Sequence, residues 1–168
     1  MALLRVEAPR PGVRTLSASA DVQTGAEVAF ALLCEVEKWP VWLPFLRSAE
    51  IAAGSISEPK CEILLRSAIP GEAEQLYEVD RFVTNYQLSL VGAYSTRRRI
   101  DLRLERKMTR CKLSIALEYP AYGGKLAVMY DAVRAGRKLS TQLDEAVLHF
   151  KHLAEYNHNA KDELLADF

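Results

Sequence analysis

The chain carries no excess charge: 22 Lys and Arg balance 22 Asp and Glu over 168 residues. Affinity for nucleic acid rests on neutralising phosphates, so a dedicated nucleic-acid binder is not expected. Cysteine is scarce, with Cys34, Cys61 and Cys111 widely spaced and no C-x-x-C pair. That spacing gives no zinc or dithiol motif. Three lone thiols suit a reducing cytoplasm, either as small core residues or, given a nearby imidazole, as a nucleophile. No apolar run approaches the ~20 residues of a membrane span, and the opening stretch MALLRVEAPRPGVRT has no apolar segment of signal-peptide length. Glycine-rich phosphate loops and the G-x-S-x-G nucleophile motif are absent. Histidine is limited to His149, His152 and His158. The first two have i,i+3 spacing but lack a third ligand with matching spacing, so surface histidines are the simpler reading and no metal or cofactor is expected.

What is present is the composition of a folded domain: 49% hydrophobic and 26% charged residues. The length suits one core, taken as a single domain over 1–168 with an ordered part at about 13–157. Val13 to Val22 alternates as a first strand. Thr24-Gly-Ala-Glu27 has capping-box spacing and predicts a short helix from Ala26 to Val36, with Val28 and Leu32 on its core edge. Pro40 and Pro44 end any long helix there, within an aromatic knot of Trp39, Trp42 and Phe45.

From Ser48 to Tyr119 the period becomes two. Segments at 48–55, 61–69, 74–83, 86–92, 95–107 and 111–119 are separated by short turns, which predicts an antiparallel meander, because parallel strands need long crossovers. The proline-free stretch from Lys125 to about Tyr156 reads as one long helix. Leu139, Leu143, Ala146, Val147, Phe150, Leu153 and Ala154 share a face at steps of three and four. Leu126, Met129, Tyr130 and Val133 form a second stripe, offset from the first, so a change of packing is expected near Gly136. The tail after Asn157 is expected to fray.

A long helix with one apolar stripe must bury it, and the sheet is the only surface large enough. This order resembles the START/Bet v 1-like superfamily, and within it the polyketide cyclase/dehydrase-type proteins. The residues that carry the likeness are Ala26-Glu-Val-Ala-Phe30, Trp39-Pro-x-Trp42-x-Pro44-Phe45, Leu126 and the Leu139–Leu153 helix. The resemblance implies an α+β helix-grip fold: a curved antiparallel sheet of about seven strands, in the order β-α-α-β6-α, wrapped around the C-terminal helix. It also implies a cavity between the two layers for lipids, quinones or polyketides.

In each strand the more apolar phase is expected to face that cavity. Those phases contain Cys61, Ile63, Leu65, Ser67 and Ile69; Gln75, Tyr77, Val79 and Arg81; Tyr86, Leu88 and Leu90; Arg98, Ile100, Leu102 and Leu104; and Cys111, Leu113, Ile115, Leu117 and Tyr119. With Leu139, Leu143, Val147 and Phe150 from the helix, they give a mostly apolar lining with few polar groups, as small-molecule pockets have. Arg81 is the first choice for a polar anchor, able to pair a carboxylate, enolate or phenolate, and the resemblance implies a pocket arginine on this strand. Alternatively Arg81 reaches solvent at the strand end or pairs Glu78 or Asp80. Arg98 shares the inward phase, but within Arg97-Arg98-Arg99 it also reads as part of a solvated basic cluster. Trp39 and Trp42 either pack the corner or line the mouth of the cavity with Phe45.

Three functions stay open on these residues. The chain binds an apolar or aromatic small molecule, oriented by Arg81 and Tyr77. Alternatively it is an aromatase/cyclase or dehydratase in which those two residues stabilise an enolate and move a proton. Or it binds a protein partner through its outer face, as RatA-type proteins do. Leu148 lies off the main helical stripe and hints at a homodimer.

Overall fold

The structure, a computed structural model, describes residues 12–68, 74–96, 98–120 and 135–166. Ten alternating residues form β1 (Val13–Val22), then comes α1 (Ala26–Leu33), a single 3-10 turn (Val36–Lys38) and the four-residue α2 (Trp39–Trp42). The sheet continues with β2 (Leu46–Ala53), β3 (Glu62–Ser67), β4 (Gln75–Val83), β5 (Gln87–Gly92), β6 (Arg99–Lys107) and β7 (Arg110–Pro120). The C-terminal helix α3 spans Ala135–Ala166. The strand order is β1-β7-β6-β5-β4-β3-β2, every neighbouring pair is antiparallel, and the sheet is curved. Only the β1–β7 pairing departs from sequence order. The α+β helix-grip architecture expected from the chain is therefore the one observed.

The first helix differs from expectation: it ends at Leu33 rather than Val36, it buries Ala26, Ala29, Phe30, Leu32 and Leu33 but not Val28, and its cap is different. Gly25, not Thr24, is the N-cap of α1, and no side chain caps it. Thr24 is instead buried, and its Oγ1 has no hydrogen-bond partner among the described residues. Glu27, freed from the capping box, pairs with Arg106 of β6 and fastens α1 to the sheet. Pro40 sits in the first turn of α2, where its missing N–H costs nothing, and the chain leaves that helix at Leu43 in extended geometry.

The core is one cluster between the concave face of the sheet and the helices. Leu143, Ala146, Val147, Phe150 and Ala154 of α3 are buried, and Leu139 and Leu153 pack at its edge. The predicted helical stripe is thus the buried one. α3 lies chiefly along β1, with contacts to β7, α1 and α2. Near its C-terminal half, Glu155 Oε1 accepts the Gln23 N–H at 2.9 Å and pairs with Lys151 at 2.5 Å. α3 does not fray at Asn157: it continues as helix to Ala166, where Leu164 and Leu165 are exposed. The Leu126–Val133 stripe and the expected break before Gly136 lie largely outside the described residues, as do Ile69 and the Pro70-Gly71 turn.

Cys61 and Cys111 are buried and Cys34 is half-buried, all as free thiols. Burial raises the Cys34 and Cys111 thiols to about 11, so neither presents a thiolate at neutral pH. No helix among the described residues is long and apolar enough to cross a membrane.

Candidate binding site

The inner face of the sheet is built as its periodicity predicted over most of its area. Ile63, Leu65, Leu88, Leu102 and Ile115 are all buried and belong to the common core. Ser67 and Tyr119 are half-buried at strand ends, and Phe45 packs against the core from the α2–β2 connection.

One strand breaks the expected phase. In β4, Val79 pairs with Leu90, but Arg81 pairs with Ser89, so Asp80 is an extra residue in the ladder. A bulge of this kind turns every later side chain to the opposite face. Phe82 thus comes inward, opposite Leu88, and meets Phe30 of α1 edge to face at 5.3 Å. Arg81 is carried to the outer face and is exposed. The residue expected to anchor a ligand is therefore not in the interior. Tyr86 is a smaller correction: it lies in the β4–β5 turn, where Asn85 has φ of 61°, and is exposed rather than inward.

The other expected polar residues do come together. Tyr77, inward on β4, is only 6% exposed. Its hydroxyl donates to Gln75 Oε1 at 3.0 Å and is hydrogen-bonded by the Arg98 guanidinium. Burial pushes the Tyr77 phenol up, against the opposing pull of Arg98, and keeps it protonated at neutral pH. Arg98 is half-buried, while Arg99 next to it pairs with Asp80 at 2.6 Å on the outer side. Arg97 lies outside the described residues. The basic triplet is therefore divided by strand alternation, and Arg98 joins Gln75 and Tyr77.

The two tryptophans differ. Both are fully buried. Trp39 donates its indole N–H to the Leu33 carbonyl at 2.9 Å and closes the end of α1. Trp42 stands edge to face on Phe150 of α3, with ring centroids 5.0 Å apart. Its Nε1 has no acceptor among the described residues. A buried donor without a partner loses its hydration and gains nothing in exchange, a cost of about 1–3 kcal/mol. Such groups in a native fold call for a reason.

A polar network on the outer face of the sheet has no counterpart among the sequence expectations. Gln87 Nε2 donates to Ser89 Oγ at 2.8 Å and to Asp101 Oδ1 at 2.9 Å, Ser89 donates to the same carboxylate, and Arg103 pairs with its other oxygen at 2.7 Å. Gln87 and Ser89 are buried. With every partner satisfied and no imidazole in the set, this network fastens β5 to β6. His149 and His152 are exposed on α3, and no group of three potential metal ligands forms among the described residues.

No family model matches the sequence, and no curated protein sequence matches it. Solved structures do match. A START superfamily protein from Mycobacterium smegmatis is 17% identical with a TM-score of 0.55, over 79% of this chain and 96% of its own. A polyketide-cyclase-like protein from Corynebacterium glutamicum is 12% identical with a TM-score of 0.51, over 88% and 95%. A protein from Thermus thermophilus is 9% identical with a TM-score of 0.69, over 84% and 97%. At these identities the likeness is one of fold, and it extends over most of each chain.

Proposed function

Since the chain has the START/Bet v 1-like fold, we propose that it holds an apolar or aromatic small molecule between its sheet and α3. The observation that carries this reading is the Trp42 indole N–H, fully buried beside Phe150 and without an acceptor among the described residues. An oxygen of a bound molecule would satisfy it, within a lining that is otherwise apolar. The pattern matches pockets that bind through burial and orient through a few polar groups. Lipids, quinones and aromatic polyketides all combine an apolar body with a carbonyl or hydroxyl oxygen.

The cyclase or dehydratase reading uses the same interior. Arg81, the residue assigned to stabilise an enolate, is on the outer face. Among the described inward-facing sheet residues, Tyr77 remains as a proton donor, and it stays protonated at neutral pH. A donor with no carboxylate or imidazole base beside it among the described residues favours holding a molecule over transforming it. The partner-binding reading uses the outer face, where Arg99 is engaged with Asp80. A reducing cytoplasm remains the compartment these free thiols suit.

The test is native mass spectrometry of the purified chain, followed by titration with decanoic acid, menadione and emodin. The proposal expects either a co-purified apolar molecule or saturable one-to-one binding of at least one probe. An empty protein that binds none of the three would overturn it.

A further inference from the structure

One end of the sheet gathers apolar and charged surface that the fold leaves uncovered. Val22 pairs with Cys111, and Lys107 pairs with Arg110 across the β6–β7 turn, so the tip of that hairpin lies beside the end of β1. The N–H of Gln23, just past β1, binds Glu155 of α3 at 2.9 Å. The hairpin tip and the last part of α3 therefore share this end. Beyond Glu155, α3 runs on to Ala166, about three turns or 16 Å. Its buried residues stop at Ala154. Leu164 and Leu165 follow the buried Ala146 and Val147 by about five whole turns, so they continue the core-facing side of the helix. With no sheet left beneath them, they are 64% and 74% exposed. Turns of helix without a packed face gain little beyond propensity. At the hairpin tip Met108 is 97% exposed and holds a φ of 56°, a left-handed backbone that an apolar side chain rarely adopts.

The two features carry opposite charge. The hairpin holds Arg106, Lys107, Arg110 and Lys112 within one short stretch that has no acid. Arg106 pairs with Glu27 and Lys107 with Asp21. Arg110 and Lys112 have no ion-pair partner among the described residues. The sequence after Tyr156 carries Asp162, Glu163 and Asp167 against the single Lys161. We infer that two copies of the chain pair through this end, the last turns of α3 of each lying on the β6–β7 hairpin of the other. Leu164 and Leu165 then cover the partner copy's Met108, and the acidic turns bring their charge to its Arg110 and Lys112. Because both features sit at one end, a single two-fold axis satisfies both contacts and closes the pair, where a head-to-tail contact would leave one of each open. The contact is small, which places it among the weak, concentration-dependent interfaces. It is separate from the interior and from Leu148, which lies more than four turns upstream on α3.

The experiment is sedimentation velocity of the whole chain, from about 1 μM to about 1 mM at low salt, the span in which weak contacts are read. The unmodified protein is expected to pass from one chain to two, and no further, with added salt shifting it back toward one. Leu164→Glu should raise the dissociation constant by about ten-fold or more, whereas Leu148→Glu should leave it unchanged. Two charge-reversed proteins make the test specific. One carries Arg110→Glu with Lys112→Glu, the other Asp162→Lys with Glu163→Lys. Each alone should stay a single chain, because its hairpin and its helix end now repel. Mixed together they should form a heterodimer, in which both contacts again join opposite charges. An unmodified protein that is a single chain throughout the series overturns the inference. So does a dimer that survives Leu164→Glu but is lost in Leu148→Glu, which puts the interface at the middle of α3. Reversed proteins that still self-associate as the unmodified chain does, or that do not associate on mixing, overturn it as well.

Discussion

Trp39 and Trp42 are separated by two residues, are equally buried, and are engaged in opposite ways. Trp39 spends its one polar atom on the Leu33 carbonyl and so belongs to the scaffold. Trp42 faces Phe150, and its N–H has no acceptor among the described residues. The difference shows how a fold of this kind separates the groups that hold it together from those that wait for something else. Among the charged residues, Glu155 is committed to Gln23 and Lys151, and Arg99 to Asp80.

Targeted substitutions test this division. The largest expected effect is at Phe150, the fully buried ring on which Trp42 rests. Phe150→Ala should cost about 3–5 kcal/mol of unfolding free energy in denaturant, the range for emptying a packed aromatic site. A smaller loss would mean that the space between α3 and the sheet is loosely filled. Next comes the tryptophan pair itself. Phe at either position removes a similar volume, so comparing the two isolates the N–H. Trp39→Phe should be the more destabilising by about 1–3 kcal/mol, because it orphans the Leu33 carbonyl while Trp42→Phe orphans nothing. Equal losses would erase the distinction drawn between them.

The third effect depends on pH. Partial burial would raise the Glu155 carboxyl, but the Lys151 ammonium and the Gln23 N–H outweigh it and hold it below its ordinary value. A carboxylate with a depressed folded value contributes stability that is complete above its unfolded value and drains away as pH falls through the folded one. Glu155→Gln should therefore be less stable than the unmodified chain above about pH 5, with the two curves converging in acid. A constant offset at all pH values would show that the carboxylate charge is not what fastens α3 to β1. The smallest effect is expected at Arg81. As an exposed outer-face residue, Arg81→Ala should change stability by no more than about 0.5 kcal/mol and leave probe affinity unaltered. A marked loss of affinity would restore Arg81 to the interior.

Much of this architecture was legible in the chain. Strand alternation, the turns between 83 and 87 and around Met108, and the Leu139–Ala154 stripe are direct consequences of backbone periodicity, and each element appears within a few residues of its expected place. The bulge at Asp80 was harder to read, because an extra residue leaves composition unchanged. Its trace was the shift of the apolar phase from Val79 to Phe82. The capping box failed because Thr24-Gly-Ala-Glu27 satisfies the spacing but Gly25 takes the cap, one residue later than the motif requires. The burial of Gln87 and Ser89 on the outer face depends on neighbours from another strand. A local pattern does not record that. Of the candidate site, the apolar lining and the Gln75–Tyr77–Arg98 group were placed by phase alone, while the anchor expected at Arg81 was not.

The central claim is that the Trp42 N–H is kept for a ligand oxygen. Two tryptophans give two indole N–H signals in a nitrogen-15 correlation spectrum, and Trp39→Phe assigns them by removing one. On titration with menadione, whose carbonyl oxygens are acceptors, the Trp42 signal should move downfield as its hydrogen bond forms, while the Trp39 signal holds its position. Saturable binding with the Trp42 signal unmoved, or a shift confined to Trp39, would contradict the account.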